Sequence, residues 1–421
     1  MKRFTLILAL LLTLVPMRAQ KLVDTMTGIF NERVKTLQVT GPNGDIFAPP
    51  VVVLGANDWL NISFDHLDED RQYLRWRVAR CDANWQPSQL VESEYLDGFN
   101  ESLIEQYDFS NATTVHYVHY DFQFPNEDIR PRLSGNYLIQ VYPENDPEDV
   151  WLQQRVMVSE QSAPISAQVT TRTDIDYNAE HQQLSVAVDV ERAGVDDPFN
   201  DLRVVIQQNG RGDNEVAVRR PMRMSGRTAI FEHDRALIFE AGNEYRRFED
   251  SNVNYPGMGI ADIYFFEPYY HFDVYADEPR NEDAYVYDQT QQGRFVVREY
   301  NSDNSELDAD YAVVHFALEM PEQPGTRIFL DGDFTQRRFN PESQMFFNNQ
   351  TGRYEKAMLL KQGHYNYQYL AVPPGASKGT TATVEGNHYQ TINEYLIKVY
   401  ARGPLDRTDR LIGVSRISTA Q

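Results

Sequence analysis

Along most of this chain, apolar residues alternate with polar ones at a period of two, and this alternation constrains the fold more than any other feature. It is clearest in the segments 184–190, 314–320 and 365–369. Successive side chains of a β-strand point to opposite faces, so the pattern predicts half-buried strands. No segment carries a long apolar stripe at the 3.6-residue period of a helix. We therefore expect an all-β protein with few and short helices, its most irregular or one-turn helical piece at 94–104.

Turn-forming residues separate the predicted strands at short intervals. Four such turns have the sequences GPNGD at 41–45, QNG at 208–210, DGD at 331–333 and NNQTG at 348–352. Many short strands with this spacing are typical of β-sandwiches, most simply immunoglobulin-like ones. Linker-like compositions at 159–164 and 276–288 divide the chain. The sequence therefore predicts three tandem sandwiches, at 20–160, 161–285 and 286–421, after a leader at 1–19.

The leader has the composition of a secretory signal peptide. A basic start, Met1-Lys2-Arg3, precedes an apolar stretch at 4–15, and Ala19 supplies the small residue before Gln20. Those twelve residues would extend about 18 Å as a helix, too short for a hydrocarbon core of about 30 Å. We expect cleavage between Ala19 and Gln20 rather than a membrane anchor, and no direct insertion of the mature chain into a membrane.

The charge balance excludes several classes of partner. Lysine and arginine number 39 against 62 aspartate and glutamate residues, a formal net charge of −23. A chain this acidic lacks the basic stripe that nucleic-acid phosphates require, and an anionic membrane surface would repel it. With 41% hydrophobic and 12% aromatic residues, it has enough apolar area to form several cores. The charge limits the partners without identifying one.

The single cysteine, Cys81, rules out an internal disulfide. Exported eukaryotic modules of this size usually carry several disulfides, so a bacterial periplasm fits this sequence better. The sequence places no histidine or basic partner that would activate the thiol of Cys81, and we expect a small buried residue rather than a nucleophile.

The search for metal ligands gives negative results. His116 and His119 form an H-x-x-H, but residues at i and i+3 of a strand point to opposite faces and cannot share a metal. Asp331 and Asp333 lack the remaining ligands of a calcium loop, so a hairpin turn is favoured there. The acidic run at 144–149 reads as a solvated loop, and a weak calcium site in it is left open.

Motifs for catalysis and cell adhesion are also missing or weak. Arg211-Gly212-Asp213 is the integrin-binding tripeptide, here expected to form a tight turn. Gly-x-Ser-x-Gly, Walker-type glycine loops and H-E-x-x-H do not occur. We therefore nominate no catalytic residue, no cofactor and no metal ligand, and we disfavour an enzyme.

Residues 311–371 resemble an early-set sandwich of the glycogen-binding type, through RIFLDGDF at 327–334 and LLKQGHYNY at 359–367. Sugar-binding members of that group stack pyranose rings on tryptophans after the G-D-F turn, but the matching position here lies near Arg337. All four tryptophans lie in the first predicted domain, at Trp59, Trp76, Trp85 and Trp151. Carbohydrate binding is therefore not expected, and we expect Trp59 and Trp76, which lie on strand-like runs, to serve in packing.

Sequence blocks along nearly the whole mature chain carry a more specific resemblance. They are YLDGFN at 95–100, YDFSNAT at 107–113, SGNYL at 134–138, GNEYRRF at 242–248 and LKQGHYNYQY at 360–369. In order and spacing the chain resembles the plug proteins of the type IX secretion system of Bacteroidota.

The resemblance implies a non-enzymatic periplasmic protein. Such a protein docks on the periplasmic mouth of the outer-membrane translocon barrel and closes its pore while no cargo passes. No interface residue is nominated from the sequence. The alternative is a periplasmic protein that binds or processes polysaccharide, which would need an exposed tryptophan or tyrosine platform or a cleft of convergent carboxylates.

Overall fold

The computed structural model describes residues 24–420, and the expected cleavage site at Ala19 and Gln20 lies outside them. Within this range the chain forms thirty strands and a few single-turn helices, which confirms the all-β prediction. The helices are α1 (Glu92–Tyr95), α2 (Pro198–Asp201) and α3 (Ser305–Asp308), with 3-10 turns at Pro42–Gly44, Arg235–Leu237 and Asp333–Thr335. The helical turn predicted within 94–104 is α1, which begins two residues earlier.

The first part of the chain is a sandwich of two main sheets. Its strands are β1 (Gly28–Ile29), β2 (Val34–Thr40), β3 (Val51–Val53), β4 (Leu60–His66), β5 (Leu74–Cys81), β6 (Leu96–Gly98), β7 (Ser102–Leu103), β8 (Gln106–Phe109), β9 (Val118–Phe124), β10 (Ile129–Pro131), β11 (Gly135–Pro143) and β12 (Leu152–Ser159). One sheet has the order β1-β12-β11-β5-β7 with β3 added to β12, the other has the order β2-β4-β9-β8, and β10 pairs with β6. The core between them includes Trp76, Phe64 and Tyr137.

The middle sandwich combines strands from two distant parts of the sequence. Its strands are β13 (Ile165–Thr170), β14 (His181–Asp189), β15 (Leu202–Gln208), β16 (Val216–Val218), β17 (Arg223–Ser225), β18 (Thr228–Phe231), β19 (Ile238–Glu240), β29 (Glu394–Ala401) and β30 (Arg410–Ser418). The first sheet has the order β13-β14-β18-β17 with β19 on β14, and the second has the order β16-β15-β29-β30. Strand pairing therefore crosses the boundary expected at 285 and 286, and the division into three consecutive domains stays a prediction.

The remaining strands form one nine-stranded sheet that folds over on itself. They are β20 (Arg246–Glu249), β21 (Ile260–Phe266), β22 (Tyr269–Val274), β23 (Phe295–Val297), β24 (Tyr311–Leu318), β25 (Arg327–Asp331), β26 (Gln344–Asn348), β27 (Arg353–Lys361) and β28 (Gly363–Val372). The order is β20-β28-β25-β26-β27-β24-β22-β21, with β23 on β28. Its core is rich in aromatic rings, and Phe248 stacks on Tyr365 with ring centroids 4.9 Å apart.

The predicted alternation holds along the central strands. On β14, Leu184, Val186 and Val188 are buried, and on β24 the apolar positions from 314 to 318 are buried as well. On β28 both faces are buried, and the polar side chain of Gln368 is buried with them. Its amide donates to the hydroxyl of Tyr245 at 2.9 Å. Paired polar groups can be buried at little cost, so the alternation there does not mark a solvent-exposed face.

Candidate partner interface

A buried ion pair joins the first sandwich to the nine-stranded sheet. The ammonium of Lys361 donates to Asp65 Oδ2 at 2.6 Å, and neither side chain reaches solvent appreciably. The hydroxyl of Tyr311 donates to the same oxygen at 2.6 Å, and His119 Nδ1 lies 2.6 Å from the other carboxylate oxygen. The ammonium also lies 4.0 Å from the ring centroid of Tyr117. Strands β4 and β9 are thereby fixed to β24 and β27.

The surroundings keep this pair in its charged form. Burial acts to raise the pKa of Asp65, but Lys361 and His119 outweigh it and hold that pKa below its ordinary value. Burial lowers the pKa of Lys361, and Asp65 opposes that shift. Loss of either partner would leave an uncompensated charge in the interior, which is a large penalty. The junction is therefore rigid as long as both partners are present.

A second junction joins the first sandwich to the middle one. The hydroxyl of Tyr400 on β29 donates to Asn136 Oδ1 on β11 at 2.7 Å, and both groups are buried. The guanidinium of Arg80 donates to the carbonyls of Ser134 and Asp409, each at 2.7 Å. An apolar cluster lies beside these bonds and contains residues of both sandwiches. Its members are Cys81, Ala83, Trp85, Leu138 and Met157 of the first sandwich and Val205, Tyr400 and Leu411 of the middle one. The first sandwich thus has fixed contacts with both other parts of the molecule.

The hairpin of β21 and β22 exposes three consecutive aromatic residues on the outer surface. Phe266 is 72% exposed, Phe265 54% and Tyr264 41%. The ring of Tyr264 stacks on His271, with centroids 5.0 Å apart. We call residues 260–275 the aromatic hairpin.

The sequence predicted a linker at 276–288, directly after this aromatic run, and assigned no role to the run itself. A signal was nevertheless present, because the run FFEPYY at 265–270 places aromatic residues on both faces of a hairpin.

Comparison with known proteins identifies the family. Residues 34–160 match the family described as type 9 secretion system plug protein 1st domain. The crystal structure of a hypothetical protein from Parabacteroides merdae superposes with a TM-score of 0.92 at 39% identity, covering 94% of this chain and 100% of that one. The chain belongs to this plug-protein family.

Two further solved structures are too dissimilar to carry an argument. An alkylpurine DNA glycosylase of Pseudomonas fluorescens, AlkC bound to DNA containing an abasic site analog, gives a TM-score of 0.17 at 9% identity over 30% of each chain. A putative membrane anchored protein of Corynebacterium diphtheriae gives 0.13 at 9% identity, covering 91% of this chain and 92% of that one. The curated proteins contain no match. None of these comparisons supports the early-set resemblance of residues 311–371, which stays a prediction.

In this plug-family chain the predicted histidine pair does not form a site. His119 lies on β9 and is buried against Asp65, whereas His116 precedes the strand and is exposed. Across residues 24–420, no group of three or more histidine, cysteine or acidic residues is arranged to hold a metal ion. The same range contains no helix long and apolar enough to cross a membrane.

The hairpin turn expected at 331–333 begins a longer connection between two paired strands. β25 does pair with β26, but residues 332–343 connect them and include a 3-10 turn. The buried guanidinium of Arg337 causes this: it donates to Asp331 at 3.2 Å, to Asp333 at 2.8 Å and to the carbonyl of Gln292 at 2.6 Å. The position to which the early-set resemblance would assign a tryptophan is therefore occupied by an internal ion-pair network.

The other candidate residues have structural roles. Arg211 is buried and pairs with Asp213 at 2.6 Å, so the integrin-type tripeptide is not displayed. Cys81 is buried, as expected, and this burial raises the pKa of its thiol to about 11. The acidic run at 144–149 is an exposed loop between β11 and β12, as expected.

The tryptophans are mostly buried, and Trp76 packs in the core of the first sandwich as predicted. Trp76, Trp85 and Trp151 are buried, and Trp59 is half-buried. The described residues therefore present no fully exposed tryptophan as a stacking platform for sugars.

Proposed function

We propose that this chain is a non-enzymatic periplasmic plug, which docks on the periplasmic mouth of the type IX secretion translocon and closes its pore when no cargo passes. The observation that carries the proposal is the match of residues 34–160 to the first domain of plug proteins. The relative with 39% identity has the same fold over 94% of this chain, so the matched residues 34–160 belong to a larger fold that both proteins share.

The junctions of the first sandwich support this function. A pore stopper must keep its shape against a load, and a chain of flexibly linked domains would not. Here the Asp65–Lys361 pair and the Tyr400–Asn136 bond hold the first sandwich against both neighbours. A specific reversible contact with a translocon should bury at least about 1,000 Å², which a rigid body can present without an ordering cost.

The surface charge fits reversible docking. A net charge of −23 keeps the chain soluble when it is released from its partner. The polysaccharide alternative requires an exposed tryptophan or tyrosine platform or a cleft of convergent carboxylates, and the burial of Trp76, Trp85 and Trp151 speaks against a tryptophan platform.

The test is a deletion strain. Loss of the plug should let large antibiotics, normally excluded by the outer membrane, enter the cell, and expression of the wild-type chain should restore exclusion. The chain should also co-purify with the translocon barrel. Unchanged antibiotic entry together with failure to co-purify would contradict the proposal.

A further inference from the structure

The outer edge of β21 is open. β21 is the last strand of the nine-stranded sheet, and among residues 24–420 only β22 pairs with it. The N–H of Ile263 does not bond to β22 but donates to the carboxylate of Asp262 at 2.9 Å. Outward-facing groups recur every second residue in an antiparallel strand, so the N–H and carbonyl of Phe265 also face the open edge. The edge therefore offers the N–H of Phe265 and the carbonyls of Ile263 and Phe265 to an extended strand, while the Asp262 carboxylate holds the N–H of Ile263.

Side chains on both faces of this edge are apolar and exposed. Register pairs Phe265 with Tyr270 and Phe266 with Tyr269, so the two pairs lie on opposite faces of the hairpin. The rings of Phe265 and Tyr270 pack edge-on with centroids 5.0 Å apart. Proteins normally protect open edges with charge, proline or short strands.

Another edge strand of the same molecule shows the protected form. β13 also ends a sheet, and the exposed positions of this six-residue strand are Ser166, Gln168 and Thr170. The seven-residue β21 instead exposes three consecutive aromatic residues, from Tyr264 to Phe266. Its apolar edge is thus a local feature rather than a property of all edges in this fold.

The charge around this edge selects the partner. Between 256 and 275 the chain carries Asp262, Glu267 and Asp273 and contains no lysine or arginine. A second copy of this acidic edge would be repelled, whereas a strand flanked by basic residues would be attracted. Aromatic side chains at the centre of a contact are frequent sources of binding energy.

We propose that the aromatic hairpin docks by strand addition, with β21 accepting an extended, apolar, basic-flanked segment at the periplasmic rim of the translocon. This inference rests on the proposed function and identifies the surface that performs the docking. The bound segment continues the nine-stranded sheet, and its apolar side chains contact Phe265 and Phe266 on the two faces.

The experiment uses the full mature chain and detergent-solubilised translocon purified from the same species, with binding measured by biolayer interferometry. Phe266→Glu should weaken binding at least about 30-fold, as expected for loss of an aromatic anchor. Phe265→Pro removes an N–H that pairing with β22 does not use, a position at which an edge strand tolerates proline, and should weaken binding similarly. The matched control is Phe99→Glu, because Phe99 is 82% exposed but lies in the first sandwich.

Hydrogen exchange separates strand addition from simple side-chain contact. In the wild-type complex, peptides covering 260–266 should gain protection, because the open N–H of Phe265 becomes bonded. Wild-type binding without that protection, or equal binding of Phe266→Glu and wild type, overturns the hairpin assignment while the plug function stands. No binding by the wild-type chain contradicts the plug function itself. A dimer in sedimentation that Phe265→Pro dissociates would assign the edge to a second copy and overturn the proposed partner.

Discussion

Lys361 and Asp65, which are 296 positions apart in the sequence, form an ion pair that is almost completely closed to solvent. The pair lies where the first sandwich contacts the outer face of the nine-stranded sheet. Two charges in such a place stabilise the structure only while both are present, because each compensates the burial of the other. The contribution of the junction to the free energy of unfolding can therefore be measured by replacing one of the two residues.

Lys361→Met should lower the free energy of unfolding by about 3–5 kcal/mol, because the buried charge of Asp65 then loses its ammonium partner and keeps only its contacts with His119 and Tyr311. Denaturation by urea measures the effect, and adding Asp65→Asn should recover part of it. The control is Arg33→Met, which breaks the exposed Arg33–Asp68 pair and should cost less than about 1 kcal/mol. Equal losses in the two single variants would show that the buried pair does not fix the junction.

Asp250 should make stability depend on pH. Burial raises its pKa to about 8, and one of its oxygens has no hydrogen-bond partner among the described residues. The folded state therefore holds a proton that the unfolded state has released above its ordinary pKa of 3.8. Stability from this group is complete below that value and falls as pH rises toward about 8.

The variant Asp250→Asn should remove this dependence. Its stability relative to wild type should increase between pH 5 and pH 8, by at most about 1.4 kcal/mol for each pH unit. Urea denaturation at several pH values measures it, and the difference between the two proteins cancels the other titrating groups. A constant difference across that range would contradict the raised pKa.

Tyr400→Phe tests the second junction. Removing the hydroxyl leaves the buried Oδ1 of Asn136 without its partner, which should cost about 1–3 kcal/mol. Tyr275→Phe is the matched control because Tyr275 is 63% exposed, and it should leave the thermal midpoint unchanged. If the two variants melt together, the bond does not contribute to the junction.

Cys81 should be unreactive in the folded protein. Its thiol is buried and its pKa is raised to about 11 by burial, so little thiolate exists at neutral pH. Ellman's reagent should label it only after unfolding in urea. The variant Phe266→Cys provides a positive control, because its exposed thiol should react at once while Cys81 stays protected. Rapid labelling of the wild-type chain would mean that the junction opens in solution.

Docking should weaken with salt if the acidic surface takes part in it. A net charge of −23 steers a basic partner, and this long-range attraction is screened at high ionic strength. The association rate with the translocon should therefore fall between 50 and 500 mM salt. A salt-independent rate would leave the acidity with a role in solubility alone.

The all-β class and the strands themselves were predictable, because alternation reflects local side-chain direction on each strand. Which strands pair was not predictable, because the backbone N–H and carbonyl groups that join strands are the same whatever the side chain. Residues 394–401 look like a late strand of a third domain, yet they pair with β15, about 190 positions earlier. Burial of Gln368 was equally hidden, because its partners Tyr245 and Asp331 come from distant segments.

The family was predictable from the sequence, but the residues of the candidate interface were not. The sequence identified the family through blocks such as SGNYL at 134–138, but not the open edge of β21. An aromatic run reads as core material in a sequence, and only the strand order shows that this one lies at the end of a sheet. Position within a sheet is a property of the whole fold.

Completion of the middle sandwich by β29 and β30 imposes an order on biogenesis. Among the described residues β15 has β16 as its only other neighbour, so one layer of this sandwich stays incomplete until residues 394–418 have been synthesised. A chain terminated before Glu394 lacks two of the four strands in that sheet and exposes the apolar face of the opposite one. Such a product would be a substrate for proteases, so a truncated chain would be degraded rather than accumulate.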